Sequence, residues 1–290
     1  SSGVVKDFGR WLMGDWGVSE AWMPALTGLC FLPPFLLAVW LLNQLPKPNA
    51  ADEQARSARS PMDGRARVNF TRKFFWGLLL LVVTYFFLTA YRDFRDNYQV
   101  EIFNGLGFSY EDNKLIISRA ETIVAFGVMA AMALLFLIRD NRMGLTAALS
   151  IMAGGLVLMG ASTRLLAAGM IDGFWWMTLV GLGAYLAYVP FGSILFDRMM
   201  ASTRVAGTAV FAIYVADALG YTGSVIVQLY KDLASHDVSR LEFFQTFTRY
   251  MSLLGALLLA ASCIYFLRFR PDRSGESMNP SAKFAQDGKG

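Results

Sequence analysis

A single carboxylate stands inside a long apolar run. Asp217 lies in "VFAIYVADALGYTGSVIVQLY", residues 210–230, thirteen residues after Arg204 and fourteen before Lys231. Because a helix rises about 1.5 Å per residue, Asp217 would lie about 20 Å from each flanking charge, at the midplane of a bilayer. A charged carboxylate there costs roughly 3 kcal/mol or more, so it is expected to face a cavity, pair or titrate. The pattern predicts a substrate or proton group; the alternative is a hydrogen-bonded carboxylate that joins two helices.

Tyrosines surround this carboxylate along the chain. Tyr214 lies three residues before Asp217 and Tyr221 four after it, so a helix places all three on one face. The preceding apolar run, "LGAYLAYVPFGSILF", carries two more tyrosines, and Pro190 should bend that helix and free a backbone carbonyl. A bend that serves packing alone is the alternative. The candidate translocation residues are Asp217, Tyr214, Tyr221, Tyr185 and Tyr188.

A second candidate is a block of both charge signs in "LTAYRDFRDNYQVEIF", residues 88–103. The apolar run before it, 74–91, covers only about 27 Å as a helix, which barely crosses the hydrocarbon core. The chain has no helix breaker before Gly105, so the helix is expected to continue through the block. On that helix Asp93, Asn97 and Glu101 form one stripe.

The same block offers partners for a neighbouring helix. Arg92 and Asp96 are four residues apart and are expected to pair, with Arg95 on an adjacent line. The next apolar run begins "SRAETIV", which brings Arg119 and Glu121 to a similar depth. These charges predict a salt-bridged outer vestibule, and a solvated helix end is the alternative. The predicted vestibule residues are Arg92, Asp93, Arg95, Asp96, Glu101, Arg119 and Glu121.

The elements that must position these groups follow from composition. The chain has 290 residues, of which 55% are hydrophobic and 17% charged, whereas soluble domains average about 45–50% and about 25%. This composition predicts a membrane protein in contact with a lipid bilayer. Seven runs are long enough to span as helices: 22–45, 74–91, 120–138, 143–161, 174–195, 207–229 and 245–267. They do not alternate as barrel strands would, so the predicted fold class is an all-α polytopic membrane protein.

Basic residues predict the orientation. Lys and Arg concentrate in alternate connections, which should therefore be cytoplasmic: 46–73, 139–142, 197–204 and the segment from Arg268. The other connections, at 92–119, 162–173 and 230–244, carry acidic residues and should lie outside. The chain is thus predicted to run N-out and C-in. The net charge of +4 is explained by this orientation and is not taken to indicate nucleic-acid binding.

The residues give little support for an enzyme. Cys30 and Cys263 lie in separate apolar runs and predict neither a disulfide framework nor a zinc site. The single histidine, His236, falls in an outer connection, and no HExxH or CxxC motif is present. No catalytic residue, metal or cofactor is predicted.

The layout and three motifs resemble a known superfamily. One outward-to-inward span, a long basic connection and six further spans are similar to span six, the central loop and spans seven to twelve of a major facilitator superfamily transporter. The motifs "YRDFRDNY", "YVPFGSILFDRM" and "YVADALGYTGSV" resemble an uncharacterised bacterial subfamily grouped with it. The superfamily loop motif D-R-x-G-R/K appears only as "RDNRMG", with Asp140, Arg142 and Gly144 at shifted spacing.

The resemblance implies a domain plan. Residues 1–45 would be an outer segment and the end of an N-terminal half, and 46–73 a basic cytoplasmic linker. Residues 74–268 would form a six-helix C-terminal half, followed by a tail, 269–290, whose polar composition predicts disorder. A chain that begins with Ser1 is expected to be a fragment, whose missing N-terminal helical half would be its partner. The implied location is the bacterial inner (plasma) membrane, with a cytoplasmic C-terminus.

The predicted function is that of a secondary transporter that works by alternating access. The mixed charges favour a polar or zwitterionic small solute, with Asp217 as the candidate proton group. The alternative is a seven-span receptor or another non-transporting membrane protein. A retinal protein is not expected, because the last span, 245–267, has no lysine for a Schiff base.

Overall fold

The computed structural model describes residues 2–44, 63–109, 112–203, 209–234 and 238–268. These ranges are almost entirely helical, with no strand among them, so the predicted all-α fold class is confirmed. The helices in chain order are α1 (Ser2–Gly14), α2 (Met23–Asn43), α3 (Gly64–Lys73), α4 (Phe75–Asn97), α5 (Gln99–Gly105), α6 (Ile116–Phe136), α7 (Asn141–Ala167), α8 (Gly173–Thr203), α9 (Ala209–Ala234) and α10 (Arg240–Arg268).

Seven of the helices in the described ranges are long and apolar enough to cross a membrane, as predicted. They are α2, α4, α6, α7, α8, α9 and α10. Several begin at a side-chain cap that satisfies a free backbone amide. Asp140 accepts from the amide of Met143 at 2.7 Å at the start of α7, and Asp172 accepts from that of Trp175 at 2.9 Å at the start of α8.

Helix α8 is the centre of the bundle. It packs against α7, α6 and α4, and it is the most buried of the spanning helices. At its crossing with α7, a Cβ on Gly183 would collide with the backbone of Gly155, and the reverse also holds. Glycine at both positions therefore lets the two backbones touch.

The charged block does continue the second spanning helix. Helix α4 runs through Arg92 and Asp96 and ends at Asn97. It breaks at Tyr98, before Gly105, and α5 follows. No sequence breaker marks this point; the Tyr98 ring instead packs on Phe94, with ring centroids 4.6 Å apart, and lies under Arg240 at 4.7 Å.

Pro190 interrupts α8 in the expected region. The five residues that follow it, Phe191–Leu195, form a π-helical turn before the helix resumes at Phe196. The Ser193 hydroxyl donates to the Val189 carbonyl at 2.8 Å. Helix α10 contains a similar turn at Met251–Gly255.

The N-terminal part packs more loosely. Of the residues described in α2, only Thr27 is buried. Helix α1 lies beside α2 and α6. Most of the predicted linker 46–73 and all of the tail 269–290 lie outside the described residues, as do Arg204 and His236. The end of the linker forms α3. The domain plan and the orientation across the membrane stay predictions.

A candidate functional site along α4

One face of α4 carries a line of polar side chains through the apolar span. Tyr85, Thr89, Arg92 and Asp96 follow at spacings of four, three and four residues, and Gln99 continues the line three residues further on. This spacing places them on one helix face. Tyr85 lies ten residues after Phe75, the start of α4, and twelve before its end, so the line runs from mid-span to one end. We call it the polar seam.

The mid-span end of the seam holds the predicted carboxylate. The Tyr85 hydroxyl donates to Asp217 Oδ1 at 2.6 Å. It also lies 3.1 Å from the Tyr188 hydroxyl, and the two rings stack with centroids 5.3 Å apart. A phenol has one proton to donate, and the shorter bond to the carboxylate takes it, which leaves the Tyr188 hydroxyl free to donate back to Tyr85.

A guanidinium lies on the other side of Tyr188. The Arg92 guanidinium sits 4.2 Å from the centre of the Tyr188 ring, and its Nη2 pairs with Asp93 Oδ1 at 2.5 Å. This group differs from the sequence prediction, which paired Arg92 with Asp96. We call Asp217, Tyr85, Tyr188, Arg92 and Asp93 the Asp217 cluster. The Arg92 and Asp93 side chains are 16% and 21% exposed, and Asp217 is also only partly buried.

The other end of the seam is dry. Arg95 is fully buried and its Nη1 donates to Glu121 Oε1 at 2.7 Å. Its Nη2 donates to the Met177 carbonyl at 3.2 Å. Glu121, 1% exposed, also accepts from Gln99 Nε2 at 2.9 Å. The predicted pairing between the charged block and the next span is therefore observed, as a buried ion pair between α4 and α6.

Two more groups complete this Arg95 cluster, which consists of Arg95, Asp96, Gln99, Glu121 and Tyr185. The Tyr185 hydroxyl donates to Asp96 Oδ2 at 2.7 Å, and Arg95 Nη1 lies 3.3 Å from Asp96 Oδ1. Tyr185 and Tyr188 are one helical turn apart on α8, so this turn spans the two clusters.

Glycines make room for both clusters. A Cβ on Gly181 would overlap the Arg95 guanidinium. A Cβ on Gly220 would lie 2.7 Å from Thr89 Oγ1 and 2.8 Å from the Tyr85 ring. Helices α8 and α9 can therefore approach α4 closely enough to reach the seam only because these positions carry no side chain.

The structure does not bring every predicted residue to the seam. Tyr214 and Tyr221 are 69% and 54% exposed, because α9 packs on α4 through small residues such as Ala216 and Gly220. Asp217 lies at the edge of that packed face, and the two tyrosines lie beyond it, on the outer surface of the described bundle.

Two of the predicted vestibule residues also lie apart from the seam. Glu101 is exposed on α5. Arg119 is exposed at the start of α6 and lines a cavity of about 670 Å³ together with Asp112, Lys114 and Asp172. The predicted vestibule charges thus do not form one group: five lie in the two clusters, Arg119 lines this separate opening, and Glu101 belongs to neither.

Tyr85, Thr89 and Gln99 are seam residues that the sequence analysis missed. Tyr85 sits in "VVTYFFLTAY", where it reads as one aromatic among many. The helical spacing back from Asp96 would have found it. The Met177 carbonyl that accepts from Arg95 has no sequence signal, because any residue type supplies a carbonyl.

The two clusters offer different chemistry. The Asp217 cluster presents a carboxylate and a guanidinium that are both partly accessible, which suits ions of either sign. In the Arg95 cluster the central ion pair is closed to solvent, with Arg95 0% and Glu121 1% exposed, while Asp96 at its edge keeps 12%. Within the described ranges, no group of three or more His, Cys, Asp or Glu side chains is placed to hold a metal ion.

Comparison with known proteins gives one match. A sequence model with the description "Family of unknown function (DUF5690)" matches residues 1–269. That range includes the ten helices of the described residues and both clusters, so they belong to a single family unit. No curated protein and no solved structure matches the chain.

Proposed function

The chain belongs to the DUF5690 family of unknown function, and from the geometry of the seam we propose that it is part of a secondary transporter. Its solute would be a small polar or zwitterionic molecule, and it would work by alternating access in a membrane. The proposal is not enzymatic, because neither cluster presents an activated nucleophile or a positioned acid and base pair.

The observation that carries the proposal is the Asp217 cluster. Its Asp217–Tyr85 hydrogen bond of 2.6 Å lies at the middle of α4, inside a helix that is otherwise apolar enough to span. Ionisable groups at that depth are costly and usually mark a solute or ion pathway. The partial exposure of Asp217 and Arg92 favours a pathway over a purely structural contact.

The charges favour a zwitterion. The Arg92 guanidinium would pair with a carboxylate or another anionic group, and Asp217 would pair with an ammonium group. Both existing partners, Asp93 and Tyr85, are side chains that a solute could replace. Protonation of Asp217 would weaken the bond from Tyr85 and provide a way to couple solute movement to a proton.

The resemblance to the major facilitator superfamily is part of this proposal. In that layout a second helical half would cover the exposed face of α9. Tyr214 and Tyr221 support such a cover, since a phenol hydroxyl at mid-membrane depth is better satisfied by protein than by lipid tails. The same layout implies a bacterial inner membrane with the C-terminus in the cytoplasm.

The test is transport by the complete gene product in liposomes. Free amino acids, betaines and other zwitterions are applied to proteoliposomes, and uptake of labelled solute and charge movement are recorded. We expect Asp217→Asn to abolish uptake of whichever solute is carried while the protein still folds. Asp232→Asn is the matched control, because Asp232 is exposed on the same helix.

One outcome would count against the role of Asp217, and another against transport itself. Normal uptake by Asp217→Asn would reduce this residue to a contact between helices. Saturable solute binding without uptake or charge movement in the wild-type protein would favour the seven-span receptor instead.

A further inference from the structure

An apolar groove lies at the start of the second spanning helix, apart from the seam. A cavity of about 150 Å³ lies between α4 and α9, with Leu78, Leu79 and Val82 on one wall and Ala212 and Val215 on the other. It is continuous, through Thr71, Phe75 and Phe211, with a wider opening of about 400 Å³ beside α3.

The groove runs along α4 for the length of a partial acyl chain. From Phe75 to Val82 it covers seven residues of α4, which is about 10 Å. Phe75, Leu79 and Val215 are 46%, 39% and 38% exposed, so the walls are open on the surface of the bundle. Trp76, 65% exposed, stands beside Phe75 at the helix start, where tryptophans mark the lipid headgroup level.

The mouth of the groove is cationic. Helix α3 carries Arg65, Arg67, Arg72 and Lys73, and Arg67 and Arg72 line the wider opening. The Arg67 guanidinium lies 5.6 Å from the centre of the Phe211 ring, which holds its charge over the entrance. The Asp63 carboxylate is used as the cap of α3, where it accepts from the Ala66 amide at 2.7 Å.

We propose that this groove binds one anionic phospholipid. The lipid phosphate pairs with Arg67 and Arg72, and one acyl chain fills the apolar part along α4. An apolar slot at acyl-chain depth below two guanidinium groups matches the two halves of such a lipid. The site is independent of solute transport, because it shares no residue with the seam.

The first experiment measures lipid retention by the purified full chain. Phosphatidylglycerol and phosphatidylcholine with identical acyl chains are added in equal amounts in detergent, and bound lipid is counted by native mass spectrometry. We expect one phosphatidylglycerol to be retained in preference to phosphatidylcholine. Arg67→Gln with Arg72→Gln should weaken that retention about tenfold to thirtyfold, because each basic residue beside an anionic headgroup adds to the electrostatic attraction.

The matched control removes the same charge from the same helix. Arg65→Gln with Lys73→Gln should weaken retention about threefold or less, because neither side chain lines the groove and an exposed ion pair formed outside it contributes little. Equal losses in the two double variants would overturn the site, since they would show general attraction of lipid to a basic helix.

A second pair of variants tests the acyl slot. Leu79→Trp should fill the groove and lower phosphatidylglycerol retention, whereas Leu134→Trp, at a 64% exposed position of α6, should leave it unchanged. Thermal unfolding of each variant confirms that it is folded. Unchanged retention in Leu79→Trp, or equal retention of the two lipids by the wild-type protein, would overturn the proposal.

Discussion

The Arg95 cluster and the Asp217 cluster lie on the same face of α4, yet they differ in exposure. Arg95 and Glu121 are 0% and 1% exposed, whereas Arg92 and Asp93 keep 16% and 21% of their side-chain surface. Removing charges from water is expensive, so a dry pair is maintained only by staying together. A partly open pair loses less when it separates and can exchange partners.

The two clusters also join different helices. The Arg95 cluster holds α4 to α6 through Glu121 and to α8 through Tyr185 and the Met177 carbonyl. The Asp217 cluster is the one that reaches α9. A shift of α9 against α4 would therefore disturb the Asp217–Tyr85 bond and leave the Arg95–Glu121 pair intact. We therefore expect the Arg95 end of the seam to be rigid and the Asp217 end to exchange partners.

The largest effect should come from unpairing the dry end. Glu121→Gln leaves the buried Arg95 guanidinium without its closest carboxylate, and we expect the free energy of unfolding to fall by about 3–5 kcal/mol. Reversible unfolding in mixed micelles measures the change.

Two variants calibrate that result. Glu101→Gln changes an exposed residue and should alter stability by no more than about 0.5 kcal/mol. The double variant Arg95→Met with Glu121→Leu removes both charges and should lose less than Glu121→Gln alone. A small loss in Glu121→Gln would mean that the two ends of the seam do not differ in the proposed way.

A smaller effect should come from crowding the same end. Gly181→Ala places a methyl group against the Arg95 guanidinium, which its bonds to Glu121 and Met177 prevent from moving aside. We expect a loss of about 1–3 kcal/mol in the same unfolding measurement. Gly192→Ala, where a Cβ meets nothing within 4 Å, is the control. Equal stability of the two variants would show that Arg95 is less firmly held than its contacts indicate.

The smallest change in stability should come from the open end. Tyr85→Phe removes the donor to Asp217 and should cost about 1 kcal/mol. Tyr91→Phe removes a buried hydroxyl 2.9 Å from that of Thr248 and should cost about as much. The variants should differ in function, because only Tyr85→Phe alters the Asp217 cluster. Equal solute uptake by both would remove Tyr85 from the pathway.

Several features of the seam could be predicted from local sequence. Asp217 is easily identified because it is a single carboxylate in an otherwise apolar stretch. The link between the charged block and "SRAE" is also predictable, since two adjacent spans bring their ends to similar depth. Tyr85 could also have been predicted, because its spacing from Asp96 places both on one helix face.

Other features depend on how the helices turn about their axes. Tyr214 and Asp217 share a helix face by spacing, but Ala216 and Gly220 decide which side of α9 packs on α4. The sequence allows Arg92 to pair with either Asp93 or Asp96. In the structure Asp96 accepts from the Tyr185 hydroxyl, and Arg92 lies over the Tyr188 ring and pairs with Asp93. Helical periodicity cannot predict the packed side of α9 or the partner of Arg92, because both depend on a neighbouring helix.

Run length and apolarity dictate seven spanning helices and the depth of the charged residues, because a bilayer imposes a minimum length and penalises charge along one axis. Which charged side chains are buried and which stay accessible is decided by the packing of the helices. Desolvation depends on atoms that other helices bring to each residue, such as the Met177 carbonyl above Arg95 and the gap left by Gly181.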